Sequence, residues 1–243
     1  MTAMNGPDFV VSLREVRILI DRLLQWKGFS AGRRPALTES ALYSASLGLS
    51  GFELILDNID ALKIGIESPS TLNDDETNLC LDAQGKHAWA VAEEVSDLLT
   101  EMDRRHSGGW LKVVNLAAPE ELAVVSPLIQ KHGLDAHIEI SPSGTAVTRV
   151  VGPSAPGKNE LLRICHQGIP TDRELWFELF QASNAAQAPD TKLSRTHAST
   201  ANLAEDDTSV GSENGEESPD TNTSLLNEES IMKPVMKKGK EKC

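Results

Sequence analysis

Several stretches of this 243-residue chain combine residue types that could do chemistry. Gly152-Pro153-Ser154-Ala155-Pro156-Gly157-Lys158 has the spacing of a phosphate loop, in which backbone amides cradle phosphates and the lysine neutralises them. Pro153 and Pro156 lack the amide hydrogens such a cradle needs, and Asn159 stands where a Ser/Thr would bind magnesium. A surface turn between two strands is therefore expected. Cys165 beside His166 has the composition of a nucleophile and its base. Residues 161–165 read as a strand, however, on which neighbours face opposite sides, so the thiol is expected in the core. His132 and His137 flank Gly133 with no carboxylate or cysteine at metal-ligand spacing, which predicts surface histidines.

Glu93, Glu94, Asp97, Glu101 and Asp103 share one helical stretch. They could hold a divalent cation or supply an acid/base pair, and the plainer reading is a solvated face. Arg104-Arg105-His106 at the end of that stretch offset the helix dipole. Arg33-Arg34 and Arg149 are candidates for a small anion, because a guanidinium binds a carboxylate in bidentate fashion.

The elements that must position these groups follow from hydrophobic period and punctuation. Ser12-Leu13-Arg14-Glu15 is a capping box, and Leu13, Val16, Ile20, Leu23 and Leu24 continue at helical spacing to Gly28. A second run from Leu37 to Leu49 and a third through Phe52, Leu56, Ile59 and Leu62 complete a helical subdomain over 9–62. Residues 63–85 read as a connector with one small strand near 79–81. A helix through Ala90, Val95 and Met102 follows, then a strand over 110–116, a helix over 119–131 and a hairpin of 137–140 with 147–151. Residues 172–186 form the closing helix.

The fold class is thus α+β: a helical N-terminal half packed with a small mixed β-sheet carrying helices over 63–190. A leader of 1–8 precedes it. From 191 to 243 apolar content collapses into an acidic stretch with a basic end, the composition of a disordered tail; a short partner-binding motif around 225–236 is the alternative reading.

A net charge of -13 and a pI near 4.9 weigh against binding nucleic acid, which needs a clustered basic surface. No segment approaches the roughly 20 apolar residues of a membrane span, and no signal peptide is recognisable, so a cytoplasmic, non-membrane setting is expected. Cys80, Cys165 and Cys243 form no CxxC pair, in keeping with a reducing compartment.

Together these segments resemble the bacterial family named domain of unknown function three-seven-two-six. The resemblance rests on Ser12-Leu13-Arg14-Glu15-Val16, Gly48-Leu49-Ser50-Gly51-Phe52, Gly85-Lys86-His87-Ala88-Trp89-Ala90 with Asp97, and Val113 to Pro127 with its Ala118-Pro119. Asp172-Arg173-Glu174-Leu175-Trp176 and Ala188-Pro189 with Ser194-Arg195 extend it, so that it spans most of 9–197. It implies a bacterial cytoplasmic setting and a fold, and no activity. The family's Ser-Arg pair leads into a Gly-Ala-Gly stretch, whereas Thr196-His197-Ala198 follows here, a departure that weighs against a glycine-loop function.

With no intact catalytic or cofactor motif, no cofactor is expected, and the leading expectation is a noncatalytic accessory or interaction protein, with homodimerisation through the helical N-terminus as one route. An enzyme similar to the non-Rossmann malate/lactate dehydrogenases is the alternative; the stretch corresponding to that family's Ser-His-Gly is Ser50-Gly51-Phe52, which lacks the histidine acid/base. A binding protein for a small anionic metabolite is the third reading. Arg195, joining a family-like motif to a charge, is its preferred residue, with His197 and Asp97 as companions.

Overall fold

The computed structural model of the protein describes residues 9–75, 78–106, 109–155 and 157–187. The chain divides into a unit of Met1–Pro189 and a unit of Asp190–Cys243. The second unit lies outside the described residues, and with it Arg195, His197 and the expected tail; so does the leader 1–8.

Helix α1 (Leu13–Trp26) starts where its capping box places it. The Ser12 hydroxyl accepts from the Glu15 amide at 3.3 Å, while the Glu15 carboxylate accepts from the Ser12 amide at 3.0 Å. Its stripe of Val16, Leu19, Ile20, Leu23 and Leu24 is buried. Gly28, at φ +82°, lets the Phe29 amide reach back to the Leu24 carbonyl. Helix α2 (Arg34–Ser46) begins ahead of Leu37, because Pro35 fits a first helical turn. It packs against α1, against α3 (Gly51–Asn58) and against α4 (Ala88–His106). Enclosed on several sides, it buries Thr38, Ser40 and Ser44 along with Leu37, Ala41, Leu42 and Tyr43.

A five-stranded mixed sheet forms the other half, in the order β2 (Thr71–Asp75), β3 (Asn78–Asp82), β4 (Trp110–Val114), β6 (Ala146–Pro153), β5 (Leu134–Ile140). Strands β3 and β4 are parallel and joined through α4; the hairpin of β5 with β6 completes it. Helices therefore pack with a mixed sheet in one α+β unit. No helix among the described residues is long and apolar enough to cross a membrane.

Four local expectations are corrected. The connector 63–85 holds two strands: β2 (Thr71–Asp75) pairs antiparallel with β3. Residues 71–73 of this edge strand are exposed, so no buried face writes alternation into the sequence. The expected helix over 119–131 splits into a 3-10 turn, Pro119–Val124, and α5 (Val125–Gln130). The Val125 amide bonds to the Leu122 and Ala123 carbonyls, and Pro127 has no amide to donate back to Ala123.

Residues 161–165 are helix, not strand: α6 (Glu160–Gln167) is capped by Asn159, whose side chain accepts from the Leu162 amide at 3.1 Å. A short apolar run cannot separate strand from helix by period alone. Cys165 is consequently exposed rather than in the core, and Ile164 is the buried member of the helix. Finally, a two-stranded ribbon of β1 (Phe9–Val11) and β7 (Ile169–Thr171) ties the start of α1 to the start of α7 (Arg173–Ala185). Strands of three residues leave no readable period.

Candidate functional site

Helix α4 is launched from β3 by a tight turn over 83–86. Gln84 (φ +53°) and Gly85 (φ +78°) both take left-handed backbone, and the Lys86 amide donates to the Ala83 carbonyl at 3.1 Å. The Asp82 carboxylate braces the turn by accepting from the Gln84 amide (2.8 Å) and the Asn115 side chain (3.0 Å), which hold its carboxyl below the usual aspartate value. The loop after β4 contains Asn115 (φ +54°) and Ala118 (φ +51°). Backbone bonds join the two loops: Gly85 N to Asn115 O (2.7 Å), Ala117 N to Lys86 O (2.9 Å) and Ala88 N to Ala117 O (3.0 Å). All non-glycine positive-φ residues among the described ones thus lie at the carboxyl ends of the parallel strands. Strained backbone concentrates at functional sites, and open α/β sheets bind ligands at that edge.

A cavity of about 530 Å³ opens beside this turn, between the start of α2, residues 66–70 and the first turns of α4. Leu37, Ile66, Trp89, Ala90 and Leu98 supply apolar lining; Arg33, Lys86, Ser70, Glu93, Glu94 and Asp97 supply polar groups. Its size falls in the range of about 300–1,000 Å³ usual for ligand clefts. Lys86 is its unusual member, because lysine is seldom buried without a carboxylate partner. It is 4% exposed, and its ammonium donates to the Ser70 hydroxyl at 2.9 Å. That hydroxyl in turn donates to Glu94 at 2.8 Å. Neither Lys86 nor Arg33 joins any ion pair among the described residues.

Four of the residues singled out from sequence, Arg33, Glu93, Glu94 and Asp97, therefore meet at this cavity. The others go elsewhere. Arg34 turns to Asp21, with which it makes contacts of 3.0 and 2.9 Å. Arg149 lies over the Trp110 ring at 5.0 Å, and Glu101 pairs with Arg105 at 2.6 Å. His132 and His137 are exposed, and no group of three or more His, Cys, Asp or Glu among the described residues is placed to hold a metal ion. The Gly152–Lys158 stretch does lead into a helix, α6, contrary to the strand expected after it. Lys158 is nevertheless engaged with Asp135 at 3.1 Å, and the two prolines still withhold their amides.

Sequence reasoning missed a second centre, the buried carboxylate of Glu121. Only 2% exposed, it accepts from the Ser44 hydroxyl (2.6 Å), the Ser50 amide (2.9 Å), the Ser50 hydroxyl (2.5 Å) and the Trp89 indole (2.9 Å). Burial pushes this carboxyl up, but the bonds from Ser44, Ser50 and Trp89 outweigh it, and the group settles below the ordinary glutamate value. His87, 4% exposed, packs edge-on to Trp89 and accepts the Trp89 amide at its Nδ1, 3.2 Å away. Burial pulls its pKa down, against the opposing pull of Glu121 and Glu120. In the Ser50-Gly51-Phe52 stretch, Ser50 is committed to Glu121, the Gly51 amide donates to Ser44 at 2.8 Å, and Phe52 is buried against Trp176, with rings 5.7 Å apart. With its lone pairs filled by uncharged donors, Glu121 joins α2, α3, α4 and the 3-10 turn as a structural clasp. The only early sign of it was a glutamate two residues after a proline that opens a helical turn.

No family model matches the chain, and no curated protein matches it. Solved structures give loose likenesses. The malate dehydrogenase of Entamoeba histolytica is 13% identical over 72% of this chain and 62% of its own, with a TM-score of 0.42. The malate dehydrogenase of Pyrococcus horikoshii OT3 is 12% identical over 55% and 41%, with a TM-score of 0.43. The sulfolactate dehydrogenase of Methanocaldococcus jannaschii is 14% identical over 70% and 62%, with a TM-score of 0.41. The chain spans less than two thirds of the length of each, and likeness this loose transfers neither activity nor residue roles.

Proposed function

We propose that this protein is a noncatalytic accessory protein that works by binding, and that the cavity between α2 and α4 takes a small metabolite carrying an anionic group. The observation that carries this reading is Lys86: a cation 4% exposed in the wall of a 530 Å³ cavity, with a neutral hydroxyl as its hydrogen-bond partner. Withdrawing an ammonium from water is unfavourable unless a counter-charge compensates it. A carboxylate or phosphate oxygen at Lys86, bound also by Arg33, which joins no ion pair among the described residues, would supply that charge.

The dehydrogenase alternative is the second reading; in the stretch it rests on, the Ser50 amide and hydroxyl are both bonded to Glu121. A thermal-shift screen of carboxylate and phosphate metabolites separates the readings. A ligand at 100 times its Kd stabilises the fold by about 2.7 kcal/mol. The binding reading expects a shift with such an anion that Lys86→Met removes. Stabilisation by NADH that survives Lys86→Met would favour the dehydrogenase reading instead.

A further inference from the structure

The cavity carries charges of both signs, and this narrows the ligand further. Lys86 and Arg33 are positive, whereas Glu93, Glu94 and Asp97 line the wall formed by α4. Glu93 and Asp97 are four residues apart on that helix, so they share one face, with Cβ atoms about 6 Å apart. Both are exposed, and neither joins an ion pair among the described residues. Glu94 is held by Ser70, the same hydroxyl that accepts from Lys86, so opposite charges stand on either side of one side chain. A simple anion drawn to Lys86 would leave the carboxylates of α4 without a counter-charge. A simple cation drawn to α4 would meet Lys86 and Arg33.

Resting on the binding reading above, we propose that the ligand is a zwitterion of the amino-acid type. Its carboxylate lies at Lys86 and Arg33, its ammonium lies between Glu93 and Asp97, and its apolar part lies on Leu37, Trp89 and Leu98. The two cations and the two carboxylates at Glu93 and Asp97 then balance through the ligand, and each ligand charge meets its opposite. The cavity volume leaves room for a large side chain or a second residue, so free amino acids and dipeptides belong to one class here.

The test is isothermal titration of the full chain with the free amino acids and a dipeptide set, each compared with its N-acetyl form, an anion only, and its C-terminal amide, a cation only. At least one free zwitterion is expected to bind, with both capped forms at least tenfold weaker. Glu93→Gln with Asp97→Asn is expected to abolish the preference over the N-acetyl form, and Arg33→Gln, at an exposed position, to abolish the preference over the amide. Circular dichroism checks that each variant is folded. Equal binding of a free compound and its N-acetyl form, lost in Lys86→Met, would overturn the zwitterion while leaving the anion reading intact. Failure of every amino acid and dipeptide, with another carboxylate or phosphate binding in a Lys86-dependent way, would do the same. Failure of all anions would overturn both.

Discussion

Two buried ionisable groups, Lys86 and Glu121, have opposite physical situations. Glu121 has its acceptors filled by Ser44, Ser50 and Trp89, and these bonds favour its charged form. Removing it strands several buried donors, so Glu121→Ala is expected to lower unfolding stability by more than about 3 kcal/mol in a denaturant titration, since bonds to a charged group contribute about 1.5–3 kcal/mol each. Because its folded pKa is depressed, its contribution is present above the ordinary glutamate value near 4.5 and is lost as pH falls through the folded value. His87 adds a second pH dependence. Its folded pKa lies below the unfolded value of 6.5, so the unfolded chain takes up the proton first, and stability falls as pH drops below about 6.5. Unfolding midpoints of wild type and His87→Gln between pH 7.5 and 5.5 check this: the wild-type decline should be shallower in the variant, and parallel curves would contradict it.

At the scale of elements, close backbone approaches decide which substitutions the architecture tolerates. A Cβ at Gly168 would stand 2.4 Å from Val10 Cγ1 and 2.7 Å from the Val11 carbonyl oxygen, at φ +71°. A Cβ at Gly51 would stand 2.6 Å from the Ala45 backbone. Gly28, also at positive φ, faces open space. Gly28→Ala is therefore expected to destabilise by about 1 kcal/mol, from backbone conformation alone. Gly168→Ala and Gly51→Ala should exceed about 2 kcal/mol; three equal values in thermal or denaturant melts would refute the packing account. Elements with local signatures were legible beforehand: the Ser12 capping box of α1, the long period of α4 and the turn between β5 and β6. Those decided by tertiary context were not. The ribbon of β1 with β7 is three residues long, β2 is an edge strand, and α6 depends on an Asn159 cap that sequence reading assigned to a turn. Lys86 and Glu121 were unreadable for a related reason: the default place of either residue type is the surface, and only packing against residues distant in sequence encloses them.

Across the whole unit, the helical half and the sheet half meet around α4, and the cavity lies along this helix where the turn after β3 launches it. Asp97 and Arg33 were recognisable as candidates from charge alone, but what brings them together is the packing of α2 against α4. The account stands on Lys86 as a buried cation that makes no direct ion pair among the described residues and bonds to a neutral hydroxyl. Its most direct test is isothermal titration of wild type and Lys86→Met with the carboxylate or phosphate compound that gives the largest thermal shift. The charge-assisted bond lost should weaken binding by about 10- to 100-fold, equivalent to about 1.5–3 kcal/mol, with the variant still folded. Equal affinity of the two proteins, or no anion that binds the wild type, would contradict the account.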